Sequence, residues 1–126
     1  MDKALFATGE QTRRAVLGDR HVDASLAAAT EFTRPLQELV TEYGWGAVWS
    51  RPGLPRKIRS MLNLAMLTAL NRPHELKTHV RGALTNGVTE DEIREVLLQT
   101  AVYCGMPAAI DSFRVAREVL EEAKAK

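Results

Sequence analysis

"NRPHELKTHVRGALTNGVTEDEIREVLLQTAVYCG", residues 71–105, is the stretch that decides the fold class. Pro73 suits the first turn of a helix, where its missing N–H is no loss. Leu76, Val80, Ala83 and Leu84 follow at helical spacing. "NG" at 86–87 then offers a left-handed helix end. "TEDE" at 89–92 is a capping box: the Thr89 hydroxyl serves the backbone of Glu92, and Glu92 reaches back. Ile93, Val96, Leu97, Thr100, Ala101 and Cys104 make a second inward stripe. The reading is two helices joined by a short turn.

The pattern continues outward. "GMP" at 105–107 breaks the chain and starts a last helix with Ala109, Phe113, Ala116 and Leu120 facing in. In the other direction, a helix from about Pro55 to Leu70 carries Ile58, Met61, Leu62, Ala65 and Ala69 on one stripe, with Leu64, Met66, Leu67 and Leu70 filling much of the rest. A helix apolar nearly all round is buried nearly all round. A chain of 126 residues has limited interior to bury it in, so a subunit interface is expected. Further upstream, residues 3–17 read as a first helix, broken by "GDRH" at 18–21. Glu31 to Tyr43 follows with Phe32, Leu36, Leu39 and Val40 spaced for one face. "GWGAVWSRPGLP" at 44–55, with its glycines and prolines, reads as non-helical. No alternating strand is visible. The expectation is an all-α chain forming a single domain over residues 1–126.

Composition narrows the function. Seventeen basic residues against 16 acidic leave a formal net charge of +1, which argues against nucleic-acid binding through a basic surface. No apolar run reaches the roughly 18 residues of a membrane span, and no signal peptide is visible. The single cysteine, Cys104, allows neither an internal disulfide nor a C-x-x-C redox pair. A cytoplasmic protein is the simplest expectation.

Few residues can carry chemistry. His79 sits among the inward residues of its helix, where a satisfied, partly buried histidine is the ordinary alternative to a functional one. A metal site is not expected: His74 and His79 diverge by about 140° around a helix, and no H-E-x-x-H, paired cysteines or carboxylate cluster supports one. His21 follows a glycine break and reads as a loop or cap residue. Arg51, between Trp49 and Pro52, is placed to fork onto a carboxylate, or else to stack on Trp49. Trp45 and Trp49 read as packing residues or as a pocket wall. Glu42 and Tyr43 end the preceding helix; solvation is the ordinary state there, and Glu42 joins the tryptophans as a candidate substrate contact. Cys104, on an apolar stripe, reads as a small hydrophobe.

Several motifs in order carry a resemblance: "RRAVLGDRHVD" (13–23), "WSRPGL" (49–54), "HVRGALTNGVT" (79–89) and "EIREVLLQTAVYCGMPAA" (92–109). The chain resembles the carboxymuconolactone decarboxylase family from about residue 10 to 120. The wider superfamily includes helical thiol peroxidases of the alkyl hydroperoxidase D type. Their C-x-x-C would fall at Arg72 and Glu75 here and a superfamily glutamate at Ser60, while their histidine falls at His79. The thiol machinery is therefore missing and the histidine remains, which argues against a thiol peroxidase.

The resemblance implies an alkyl hydroperoxidase D-like helical subunit in a homo-oligomer, a ring-like hexamer. It also implies cofactor-independent decarboxylation of a lactone dicarboxylate, 4-carboxymuconolactone, to the β-ketoadipate enol-lactone in protocatechuate catabolism. The lactone supplies its own electron sink, so no cofactor is expected. On this reading Arg51 holds the side-chain carboxylate, and His79 donates a proton or stabilises the oxyanion. His21 is a second donor or a substrate contact, and Trp45, Trp49 and Glu42 line the pocket. A lyase for another small organic acid, or a non-catalytic helical oligomer, are the competing readings.

Overall fold

The computed structural model describes residues 1–126. It contains seven α-helices and one π-helix and no strand. The chain packs as two compact units, Met1–Pro55 and Arg56–Lys126.

The first unit is built on α1 (Lys3–Leu17), whose N-terminus is capped by the Asp2 side chain accepting from the Leu5 N–H at 3.0 Å. It ends at Gly18, whose φ of 89° suits a residue without a Cβ. The chain then enters α2 (Asp19–Ala27) directly, so His21 is helical and half-buried, not a loop residue. Asp19 supplies the acidic first turn, and Arg14 ties the two helices through Asp19 at 3.2 Å and Asp23 at 2.8 Å.

A short helix, α3 (Arg34–Leu39), runs straight into a π-helix, Val40–Trp49. Half of the stretch expected to be irregular is therefore helical with a wider turn. Gly46 of this helix and Gly9 of α1 allow the two to approach closely. A Cβ on Gly46 would lie 2.6 Å from the Leu5 carbonyl oxygen, and one on Gly9 would overlap the Thr41 carbonyl oxygen. Arg13, buried, crosses the same seam: its Nη1 donates to Gln37 Oε1 at 3.0 Å and Thr41 Oγ1 at 3.3 Å. Phe32, Leu36 and Leu39, spaced for one face, are exposed at 91%, 58% and 53%. The face of this segment that meets α1 is the polar and small one, Gln37, Thr41 and Gly46.

The second unit comprises α4 (Arg56–Ala69), α5 (Pro73–Thr85), α6 (Glu90–Tyr103) and α7 (Met106–Ala125). Its core is Leu64, Leu76, Val80, Ala83, Val88, Ile93, Leu97, Ala116 and Val119. The turn after α5 passes through Gly87 at φ 87°, as "NG" suggests. The capping box before α6 is present in full, with Thr89 Oγ1 accepting from Glu92 N–H at 3.1 Å and Glu92 Oε1 from Thr89 N–H at 2.9 Å. No helix is long and apolar enough to cross a membrane.

Within the single chain the buried face of α4 is Ser60, Leu64 and Thr68, and Ile58, Leu62, Met66 and Leu70 are exposed at 37% to 63%. The hydroxyls are tolerated inside because each is bonded: Thr68 Oγ1 donates to the Leu64 carbonyl at 2.7 Å and lies 2.8 Å from Ser112 Oγ. Cys104 is also exposed rather than in the core, because it is the C-terminal cap of α6, where the chain leaves the stripe.

The cap before α6 makes a prediction. Thr89→Ala removes the hydroxyl acceptor and should lower unfolding free energy by about 1 kcal/mol in urea denaturation at neutral pH. The Thr89 backbone N–H, with Lys57 at 2.9 Å, holds the Glu92 carboxyl below its ordinary range. A carboxyl lowered in the folded state stabilises above its unfolded pKa, and that stability is lost as pH falls through the folded value. The stability gap between Glu92→Gln and the parent should therefore close on acidification.

Candidate active site

The π-helix holds the aromatic pair. Trp45, 4% exposed, stacks on Trp49 with ring centroids 4.8 Å apart and planes at 30°. π-Turns recur at functional sites. The end of this one is pinned: Ser50 Oγ donates to the Trp45 carbonyl at 2.7 Å and lies 2.7 Å from Thr12 Oγ1. A serine hydroxyl has one proton, so Thr12 is the donor in the second bond.

Arg51 follows immediately, with its backbone N–H donating to the Val48 carbonyl at 3.0 Å and its side chain exposed. Glu42 is half-buried, and its Oε1 accepts the backbone N–H of Asp2 at 2.9 Å. That bond ties the start of the chain to the π-helix and gives the carboxylate a structural task. His21 lies one position before the fully buried Val22 on α2.

In the second unit His79 is half-buried, on the flank of α5 beside the buried Leu76, Val80 and Ala83. Across from it on α4, Asn63 Nδ2 lies 3.3 Å from His79 Nδ1. Ser60, one turn away, is fully buried and accepts from Asn86 Nδ2 at 2.9 Å, so this hydroxyl fastens α4 to the end of α5. Arg72 and Glu75 are both exposed, and the Arg72 guanidinium caps the Leu70 and Asn71 carbonyls.

Sequence reasoning missed Asn63. The signal was available: it is the one polar side chain in "MLNLAML" (61–67), and a helical asparagine flanked by apolar residues has a partner to find.

Two grooves open on the second unit. One of about 360 Å³ between α4 and α6 is lined by Ile58, Met61, Leu62, Val96, Tyr103 and Cys104 among others. Another of about 510 Å³ runs between α6 and α7 over Ile93, Leu97, Phe113 and Leu120, with arginines at its rim. Neither groove contains a site residue expected from the sequence. Nowhere do three or more His, Cys, Asp or Glu side chains gather as a metal site requires.

Residues 34–118 match the family model for the carboxymuconolactone decarboxylase family. The chain is 48% identical to the nitrosuccinic acid decarboxylase of Metarhizium robertsii over 97% of its own length and 85% of that protein. It is 40% identical to the 4-carboxymuconolactone decarboxylase of Acinetobacter baylyi over 96% of its length and 90% of that protein. An uncharacterised 15.0 kDa protein of Paracoccus denitrificans is 34% identical over 64% of the chain and 62% of its own length.

An all-helical chain matching over this length belongs to the carboxymuconolactone decarboxylase family. It is an enzyme, a carboxy-lyase acting on a small molecule.

Proposed function

We propose that the enzyme removes carbon dioxide from a substituted succinate that carries its own electron sink. The substrate is 4-carboxymuconolactone, the product is the β-ketoadipate enol-lactone, and the setting is the catabolism of protocatechuate.

The observation that carries this reading is what the named substrates of the two full-length relatives share. In 4-carboxymuconolactone one saturated ring carbon bears a carboxylate and a carboxymethyl arm. In nitrosuccinic acid one carbon likewise bears a carboxylate, a carboxymethyl arm and a conjugating group. Each is a succinate with an oxygen-terminated acceptor on the carbon that loses carbon dioxide.

The chemistry then needs no added group. The bond to the departing carboxylate breaks and leaves its electron pair on carbon. In the lactone the pair passes through the ring double bond to the carbonyl oxygen. A proton then adds to the carbon next to that carbonyl, which shifts the double bond and gives the enol-lactone. In the nitro acid the pair passes to a nitro oxygen, and the proton returns to the same carbon. Donors aimed at the acceptor oxygen lower both barriers.

In this reading Arg51 binds the carboxymethyl carboxylate. A clamp on the departing one would oppose its loss, since only interactions strengthened in the transition state accelerate the step. His79 serves the acceptor oxygen or the returning proton, and His21 is a second donor. Trp45 and Trp49 exclude water, which strengthens the field inside. Glu42 stands beside them as a substrate contact, sharing its carboxylate with the Asp2 N–H.

A second reading, nitrosuccinate as the substrate, is favoured by the 48% identity to an enzyme of that name. Purified protein assayed for carbon dioxide release with each acid decides between them. Turnover of the lactone is expected. Turnover of nitrosuccinate alone replaces the first reading by the second, and turnover of neither overturns both.

We also propose a homo-oligomer, a hexamer, formed in part through α4. Ile58, Leu62, Met66 and Leu70 recur along its exposed side, with Leu98, Val102 and Tyr103 exposed on neighbouring α6. An apolar face of this kind marks an interaction surface. Light scattering after size-exclusion chromatography should give a multiple of the monomer mass, and Leu62→Glu should reduce it. A monomeric parent protein would sink the proposal.

A further inference from the structure

We infer that Ser50 is a positioning residue of the enzyme. Its hydroxyl closes the last turn of the π-helix onto Trp45 and so sets where the backbone of Trp49 and Arg51 stands. Thr12, on α1, fixes the direction of that hydroxyl. The inference rests on the proposed reading of Arg51 for its effect on catalysis, and on the hydrogen bonds alone for the placement of the tryptophans.

The last carbonyls of a helix are short of donors from within it. Ser50 is the residue after Trp49, and its side chain folds back five residues to donate to the Trp45 carbonyl at 2.7 Å. That distance is the usual one for an O–H···O bond. Five residues is also the span of one π-turn, so the side chain closes the ring that the backbone of such a helix closes. The ordinary competitor is the α register of four residues. A slip into it would turn the chain beyond Trp45 by about 100°, the angle of one residue. A hydroxyl bound to Trp45 from position 50 favours the wider turn.

The direction of this bond is set from outside the π-helix. A helical threonine commonly turns its hydroxyl to the carbonyl four residues back, as Thr8 does to Ala4 at 3.1 Å and Thr68 to Leu64 at 2.7 Å. Thr12 instead reaches across, with its Oγ1 2.7 Å from Ser50 Oγ. The one proton of Ser50 is on the Trp45 carbonyl, so Thr12 gives its own to Ser50. Thr12 is buried, and its β-branched side chain is stiff. It stands on the seam where Gly9 and Gly46 let the two helices approach and where Arg13 bonds to Gln37 and Thr41. Donation therefore runs one way, from Thr12 to Ser50 to Trp45.

Two candidate site residues flank Ser50. Trp49, before it, stacks on Trp45. Arg51, after it, donates its backbone N–H to the Val48 carbonyl at 3.0 Å, and Pro52 biases its backbone away from the helical region. The course of the chain into Arg51 is thus set at position 50. On the proposed reading the carboxylate held by Arg51 is the one that stays. Its charge is the same before and during loss of carbon dioxide, so a displaced Arg51 weakens both states alike. Such a loss falls on KM rather than on kcat.

Ser50→Ala tests this, beside Ser50→Thr, which keeps the hydroxyl, and Thr12→Val, which keeps the shape and removes the donor. With whichever acid the enzyme decarboxylates, Ser50→Ala should raise KM about tenfold or more, as small misplacements of a binding group do. It should leave kcat within about threefold, and Ser50→Thr should bring KM back to within about threefold of the parent. Thr12→Val should raise KM in the same direction and add little to Ser50→Ala, since the two residues belong to one hydrogen-bonded chain.

Near-ultraviolet circular dichroism needs no substrate. Both tryptophans of the chain are in the stack, so the indole bands report on it alone. At a temperature where far-ultraviolet spectra show every variant folded, these bands should weaken in Ser50→Ala and return in Ser50→Thr. An unmoved KM, a loss confined to kcat, or a Ser50→Thr no better than Ser50→Ala overturns the inference. Unchanged indole bands in Ser50→Ala overturn it whether or not either acid is turned over. Absence of turnover with both acids removes the substrate reading and leaves the indole spectrum to decide the placement.

Discussion

On the proposed reading, His79→Ala should lower kcat by about 100- to 1,000-fold, the usual cost of removing one donor from an oxyanion site, and leave the fold intact. The ring is half-buried and is not among the core residues Leu64, Leu76, Val80 and Ala83. Its removal opens no sealed cavity. Asn63 Nδ2 loses an acceptor, but it is only part-buried and water can replace the ring, so the stability cost stays within about 1.5 kcal/mol. The two effects separate cleanly. Steady-state kinetics on the decarboxylated acid should show the loss mainly in kcat, because the interaction is made in the transition state. Thermal unfolding by circular dichroism should show little change. Activity within a few-fold of the parent would remove His79 from the chemistry.

Gly9→Ala is expected to be the most destabilising single-methyl change in the first unit, by about 3 kcal/mol or more, the upper range for overpacking. The added Cβ would run into the Thr41 carbonyl oxygen and lie 2.8 Å from the Gly46 nitrogen. Both are backbone atoms, so no side chain can swing aside. Relief requires α1 and the π-helix to separate, which also breaks the Arg13 bonds to Gln37 and Thr41 and the Thr12 bond to Ser50. The tryptophan stack rides on the same segment. Gly53→Ala is the control: its Cβ meets nothing within 4 Å, and it should be neutral within about 0.5 kcal/mol. Urea unfolding followed by tryptophan fluorescence reads both. Equal midpoints for the two variants would contradict the packing argument.

The second unit was largely legible because its signals are local. Pro73, the "NG" turn and the Thr89–Glu92 box mark helix ends by chemistry within a few residues, and each stands where the spacing puts it. The first unit was less so. In the π-helix at Val40–Trp49, Gly46 answers a partner helix some 40 residues away in the chain, and composition alone makes that glycine look like a breaker. Apolar periodicity also marked outward faces, with Phe32, Leu36 and Leu39 and with the α4 row from Ile58 to Leu70. Periodicity states that residues share a side; it does not state what that side meets. Of the site, the histidine was visible as an oddity in an apolar line. Asn63, 3.3 Å from that ring, is 16 residues away in sequence and emerged only once α4 and α5 were paired.

Cys104 is the one thiol in the chain, and it is exposed beside the groove between α4 and α6. The protein thus comes with a unique handle for covalent labelling that needs no engineered substitution. A fluorophore or spin label attached there reports from one known place at the end of α6, next to the apolar row of α4. The label would stand on the face proposed to join subunits and on a different element from His79. Assembly could then be followed by energy transfer between labelled copies while the imidazole is titrated separately.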